Sequence, residues 1–367
     1  MKFEDIIGQV RAKADLTQLA KGDRLPHAML LLGPAGSGAL ALAVAFAQLL
    51  QCEQKDAGFA CGTCSACKKA AAFTHPDIHF SFPTIGANAV STDFLKDWRT
   101  FLAESPYASV NEWLQQLNAE NKQGNITKEE CNSIIKKLSL KAFEGRYKIL
   151  LMWLPEYLGK EGNRLLKLIE EPPDQTLFIL VAENQELILP TILSRCQLIR
   201  IDPLSDEEVV QGLVAKLSIP ADRAGDAAFL AGGDFGAALK AVESQESDHG
   251  EVFLDWLRKC WKGNAVELVK WTESAAQWGR ENQKQFLVYG LHFLRELLLM
   301  VASGSNKLRL RPEELISAQN MSKVLDFEKI QQISELFNDG IFHIERNASP
   351  KIMFLDLSIQ VNRILKK

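Results

Sequence analysis

No tract of this 367-residue sequence is dominated by one residue type or one sign of charge, and no segment repeats. The formal net charge is only −4 and the pI near 6.0. A protein whose main task is to coat DNA or RNA usually needs a strongly basic face, so the charge argues against that role and leaves room only for a local basic patch. The first residues, MKFEDIIGQV, lack both the basic start and the apolar core of a secretory signal, so the expected location is the cytoplasm. An uninterrupted membrane span is missing too. The most apolar long stretch, Phe286 to Val301, contains His292, Arg295 and Glu296, which are costly in hydrocarbon, so it reads as a buried amphipathic helix and no membrane partner is expected. In a reducing compartment the seven cysteines are free thiols or metal ligands.

What is present is a globular composition, 47% hydrophobic and 24% charged, over a length that suits two or three domains. Short apolar runs at Ala28–Leu32, Ile149–Trp153 and Leu177–Ala182 have the length and flanks of strands buried on both faces of a parallel sheet. Helical patterns lie between them, which predicts an α/β core over residues 1–202. After Ile201-Asp202-Pro203 the strand signal ends. Ser205-x-x-Glu208 is a capping box opening an apolar helix pattern, so a small helical domain is expected over 203–243. The polar stretch Glu243 to Gly250 reads as a linker, and 244–367 as an all-helical bundle. A segment from about Gly86 to Gly124 interrupts the α/β order. Its Trp98, Phe101, Tyr107 and Trp113 are too many aromatics for a loose linker, which predicts a partly helical insertion that packs against the rest.

Gly33-Pro34-Ala35-Gly36-Ser37-Gly38 follows a strand and opens a helix, the context of a phosphate-binding loop. Two residues of that site are missing: Ala39 and Leu40 stand where Lys and Ser or Thr would contact the phosphates and magnesium. On this chemistry the loop is a tight turn without a ligand. The acidic pair expected after the second strand is also missing. Trp153, Leu154 and Pro155 precede a lone Glu156, which reads as a solvated turn residue. Cys52, Cys61, Cys64 and Cys67 form C-x8-C-x2-C-x2-C, four soft ligands suited to structural, tetrahedral Zn2+ with no position left for a catalytic water. Cys131, Cys196 and Cys260 read as small apolar residues. Arg195, in Ser194-Arg195-Cys196, suits a surface salt bridge, or the stabilisation of a phosphoryl group held by a neighbouring subunit.

These residues, together with Arg24-Leu25-Pro26-His27-Ala28, Thr74-His75-Pro76-Asp77, the run Asn163 to Pro173 and Thr191 to Cys196, resemble the delta-prime family of the bacterial DNA polymerase III clamp loader. The resemblance is specific over about the first two hundred residues. It is looser at Asn347-Ala348-Ser349-Pro350-Lys351. It implies an AAA+ core, a helical lid and a C-terminal collar. It also implies a non-hydrolysing stator that assembles with the gamma/tau motor subunits and delta, acting indirectly on the sliding clamp and primed DNA. Within that complex Arg195 would act in trans, and the decayed loop Gly33, Gly36, Gly38, Ala39 would hold no nucleotide. The lid arginine expected near Gly236 is replaced by Ala237, in keeping with a nucleotide-free lid. Alternatives are an ATP-hydrolysing motor subunit of the same complex, which would need Lys at position 39 and an acidic pair near Trp153, and a zinc-dependent nucleic-acid binder. The latter is disfavoured because the cysteine loop carries only Lys55, Lys68 and Lys69 among Glu53 and Asp56.

Overall fold

The structure, a computed structural model, describes residues 1–22, 25–55, 58–119, 123–243, 249–303, 308, 310–346 and 348–366. Arg24, Asp56, most of the expected linker and Asn347 lie outside the described residues. Internal contacts divide the chain into residues 1–244 and 245–367.

The first unit begins with α1 (Val10–Lys21), β1 (Ala28–Leu32), α2 (Ala39–Gln51), α3 (Ser65–Ala71) and β2 (Ile78–Ser81). The chain then forms α4 (Leu95–Glu104), α5 (Val110–Gln116), α6 (Lys128–Leu138) and β3 (Lys148–Trp153). A 3-10 segment, Pro155–Leu165, leads into α7 (Leu166–Glu170), β4 (Thr176–Ala182), α8 (Pro190–Leu193) and β5 (Gln197–Arg200), and the unit closes with α9 (Asp206–Leu217), α10 (Ala221–Ala231) and α11 (Phe235–Glu243). The five strands are all parallel in the order β2-β3-β4-β1-β5. Strands β3 and β4 are buried at every position, which is why they read as unbroken apolar runs rather than alternating ones. The expected α/β core with a parallel sheet, followed by helices alone, is what forms. Helix α9 starts on the predicted capping box: Ser205 Oγ accepts from Glu208 N at 3.2 Å, and the Glu208 carboxylate accepts from Ser205 N at 2.9 Å.

Strand β2 had no counterpart among the predicted runs. Its four residues include His79 and Ser81, too short and too polar a stretch to stand out, and it is held by pairing Ile78–Ser81 with Ile149–Met152 of β3.

Just after β2 the insertion leaves and returns through a two-way backbone pair: Thr84 N donates to Asn125 O at 2.8 Å and Asn125 N to Thr84 O at 2.9 Å. Between these points lie α4 and α5, and their Trp98, Phe101 and Trp113 are buried, as is Tyr107 of the turn that joins them.

The second unit contains α12 (His249–Lys262), α13 (Ala265–Ala275), α14 (Arg280–Ser303), α15 (Pro312–Met321), α16 (Phe327–Glu345) and α17 (Pro350–Lys366). Its core is aromatic, with Phe253, Trp256, Phe286, Phe293, Phe337 and Phe354 fully buried, and Trp256 Nε1 donates to Ser358 Oγ at 2.9 Å. Residues Asn282–Ala302 of α14 are long and apolar enough to cross a membrane by length and composition. Phe286, Leu287, Phe293, Leu294 and Leu297 nevertheless lie inside this helical core, as expected of a buried amphipathic helix.

Candidate functional site: a filled phosphate loop and a four-cysteine cluster

The phosphate loop has the predicted backbone. β1 ends at Leu32, Gly33–Gly38 turn, and α2 starts at Ala39 with Gly38 at its N-cap. Gly36 and Gly38 have φ of 67° and 89°, values that side-chain-bearing residues rarely adopt.

Side chains from two other segments pack directly against the loop glycines. A Cβ placed on Gly36 would lie 1.8 Å from Asp234 Oδ1, and one on Gly38 would lie 2.9 Å from the Tyr107 ring. Tyr107 comes from the insertion. Its hydroxyl accepts from Ile7 N at 2.9 Å, and its ring meets Phe235 edge-on at a centroid distance of 5.0 Å. Burial pushes the Tyr107 hydroxyl up to about 12, so it stays neutral. Asp234 caps α11 by accepting from Ala237 N at 2.9 Å, while Phe235 N donates to Gly36 O at 3.2 Å. The cavity left among Gly33, Gly36, Ala39, Tyr107, Trp153 and Glu183 measures about 20 Å3. That is room for about one water.

Trp153, where an acidic residue would hold magnesium, is 3% exposed and belongs to an aromatic cluster built by the insertion. Trp98 stacks on Phe82 at 4.1 Å between centroids and lies 5.3 Å from Trp153, and Phe101 lies 5.8 Å from Trp153. The insertion thus supplies the packing that makes Trp153 stable at the end of β3, and from the same segment it supplies the plug over the loop.

Glu156 is not the solvated turn residue its position after a proline suggested. Its Oε1 accepts from Glu183 N at 2.6 Å and Asn184 N at 2.8 Å, tying the end of β4 to the turn after β3. Burial raises its pKa against those two donors. Glu183 is raised to about 7, first by desolvation and then by the charges of Glu156 and Asp234. Glu183 lines the cavity and Asp234 touches Gly36, so carboxyl side chains lie beside the loop.

The cysteine cluster is the opposite case. The sulfurs of Cys52, Cys61, Cys64 and Cys67 all lie within 4.8 Å of one another, so these four side chains could hold a metal ion. Backbone amides point at them: Cys61 N donates to Cys52 Sγ at 3.3 Å, Thr63 N and Cys64 N to Cys61 Sγ at 3.4 and 3.3 Å, and Cys67 N to Cys64 Sγ at 3.4 Å. Such donors favour thiolate over thiol. The amides of Cys64 and Thr63 bring Cys61 down to about 6, whereas burial pushes Cys52 and Cys67 up. A divalent cation would offset that burial cost, so the donor set fits a thiophilic metal.

Arg195 follows α8. Its guanidinium pairs with Glu170 at the end of α7 and also donates to Thr191 O at 2.7 Å and Ser194 Oγ at 3.1 Å. Its side chain is 33% exposed. Cys131 and Cys260 are fully buried and Cys196 partly so, with burial raising all three thiols. The residues that sequence reasoning did not place at the loop are Tyr107, Asp234 and Glu183. Only Asp234 carried a local signal, as an N-cap after Gly232-Gly233.

Residues 8–205 match the family described as DNA polymerase III, delta subunit. DNA polymerase III subunit delta' of Pseudomonas aeruginosa is 31% identical over 181 residues, 49% of this chain and 44% of that one. The Escherichia coli subunit delta' is 27% identical over 216 residues, 58% of this chain and 53% of that one. The Mycobacterium tuberculosis subunit gamma/tau is 27% identical over 194 residues, 53% of this chain and 27% of that one. A DNA polymerase III gamma subunit-related protein of Thermotoga maritima superposes on 96% of this chain, covering 100% of its own, with a TM-score of 0.42 at 12% identity. The chain spans about half the length of the delta' relatives it matches. With the matched span running from the turn before α1 to the capping box of α9, the chain belongs to the DNA polymerase III delta-subunit family and is delta-prime-like within it.

Proposed function

We propose that this protein is a non-hydrolysing, delta-prime-type stator of the replicative clamp loader. It assembles in the cytoplasm with gamma/tau motor subunits and delta, and acts through them on the sliding clamp and primed DNA. Residues 1–202 serve as the nucleotide-fold domain, 203–243 as its lid and 244–367 as the collar that joins the ring. The observation that carries this reading is the filled phosphate loop, where Tyr107 and Asp234 occupy the space beside Gly36 and Gly38 and leave about 20 Å3. A subunit built this way keeps the shape of the fold without the guest. The cysteine cluster holds one structural Zn2+, because four soft ligands close a tetrahedral site.

Arg195 is the group we assign to a neighbouring motor subunit's ATP. Its partial exposure at the end of α8 supports this, and the Glu170 pairing keeps the guanidinium ordered. In the reconstituted ring, Arg195→Ala is expected to assemble normally and to lower DNA- and clamp-stimulated ATP turnover at the affected site by about ten-fold or more. Unchanged turnover in an assembled ring would reduce Arg195 to the Glu170 ion pair alone. The gamma/tau relatives favour a second reading, an ATP-hydrolysing motor. Ala39, Leu40 and Trp153 stand against it. Turnover by the purified chain alone, sensitive to substitution at Gly36, would favour that second reading.

A further inference from the structure

The loop between α6 and β3, residues 139–147, is anchored by three buried polar side chains. Asp77, 2% exposed, accepts from the amides of Phe143, Glu144 and Gly145 at 2.6, 2.9 and 2.6 Å. Lys148, 4% exposed, donates to Leu138 O and Leu140 O, each at 2.6 Å. Gln51 Nε2 donates to Tyr147 O at 2.5 Å. Burying charged groups is costly unless such bonds satisfy them, so the ordering of this loop is built in at the level of the core. Burial alone would raise the Asp77 carboxyl, yet the three amides bring it below its ordinary value.

A loop that merely joined a helix to a strand would need none of this and would present polar side chains. This one presents Leu140 at 65% exposure and Phe143 at 82%, the highest exposure of any large hydrophobic among the described residues. Apolar side chains held out on rigid backbone lose little entropy when a partner covers them. The exposed charges flanking the pair are cationic apart from one acid. Lys136, Lys141 and Arg146 are exposed around the pair, and exposed Lys55 of the cysteine loop lies close enough to Arg146 for the two cations to repel. The loop's own acid, Glu144, is already paired with Lys69 at 2.6 Å.

We propose that Leu140 and Phe143, framed by Lys136, Lys141 and Arg146, form a preordered docking surface for an acidic protein segment that carries apolar side chains. Apolar contact would supply most of the affinity and the cations the orientation and the rate. A nucleic-acid strand would find a stacking face at Phe143 alone, because Leu140 offers none and the Tyr147 ring is already faced by Arg146 at 5.2 Å.

The test uses the full chain, purified with its metal. Fluorescence anisotropy would follow a short labelled peptide composed of Asp, Glu, Leu and Phe, a second in which Lys replaces the acids, and a labelled single-stranded oligonucleotide. The acidic peptide should bind, and the lysine peptide should not. Leu140→Ser with Phe143→Ser, and separately Lys141→Glu with Arg146→Glu, should each weaken binding by about ten-fold or more. All four positions are exposed, so the unfolding midpoint should stay put and serve as the folding control. The proposal is overturned if the acidic peptide does not bind, if both variants bind it as the parent does, if the oligonucleotide competes at the same residues, or if the same substitutions abolish self-association of the chain instead.

Discussion

The phosphate loop and the cysteine loop lie one helix apart, at the two ends of α2, and they have gone opposite ways. Gly33–Gly38 has the backbone of a phosphate-binding turn but is followed by Ala39 and Leu40, and Tyr107 and Asp234 pack against its glycines. Cys52–Cys67 keeps all four donor atoms within 4.8 Å of one another. The difference shows that a site is defined by what fills it as much as by what lines it. A missing lysine leaves a vacancy that water or a weakly held nucleotide could use, whereas Tyr107 against Gly38 and Asp234 against Gly36 remove the vacancy.

The largest effect should come from emptying the loop that is meant to be occupied. Cys64→Ala with Cys67→Ala removes two of four ligands, so metal content by elemental analysis should fall from about one zinc per chain to none. Loss of a structural metal site is among the few changes that cost more than about 4 kcal/mol, and a large drop in unfolding midpoint should accompany it. Full metal retention in that variant would break the comparison at the cysteine end.

Next in size is the support behind the filled loop. Trp98 is fully buried between Phe82, Trp113 and Trp153, and Trp98→Ala should cost about 3–5 kcal/mol by chemical denaturation. Near-ultraviolet circular dichroism should lose the signal of the coupled rings. A cost below about 1 kcal/mol would mean that the insertion is an appendage rather than part of the core.

The smallest effect is electrostatic. The folded-state pKa of Glu183, about 7, lies above its unfolded value, so the folded chain binds more protons between those two points. Its stability contribution is therefore complete below the unfolded pKa and lost as pH rises through about 7. Glu183→Gln should remove that slope and stabilise the protein at pH 8 relative to pH 5. Neighbouring groups desolvate the carboxyl but the residue keeps a solvent-exposed side, so screening should hold the gain under about 1 kcal/mol. A melting series across pH that is parallel for parent and variant would exclude the carboxylate cluster as a source of strain.

Much of this was legible in the sequence because it is local. Buried parallel strands are written as apolar runs, the strand-glycine-helix turn as Leu32 to Ala39, the capping box as Ser205 and Glu208, and the metal cluster as four cysteines within sixteen positions. The rest depends on groups far apart in the chain. Tyr107 could be recognised as needing a packing partner, but nothing near it names Gly38, 69 positions away. Glu156 looked solvated because its two donors, Glu183 and Asn184, belong to the end of another strand. The partner of Arg195 is likewise set by the way α7 and α8 meet, and β2 was too short to announce itself without β3 beside it.

The central claim is that the phosphate loop is filled and not merely stripped of ligands, and nucleotide binding to a chemically repaired loop tests it most directly. Ala39→Lys with Leu40→Thr restores the phosphate cation and the magnesium hydroxyl. Titrating a fluorescent ATP analogue with magnesium into this variant, with folding checked by circular dichroism, should show no binding while Tyr107 and Asp234 are in place. Adding Tyr107→Ala and Asp234→Ala to the repaired chain should open the cavity and bring binding into the micromolar range, about 8 kcal/mol. Binding of the analogue to the repaired chain with Tyr107 and Asp234 untouched would contradict the account.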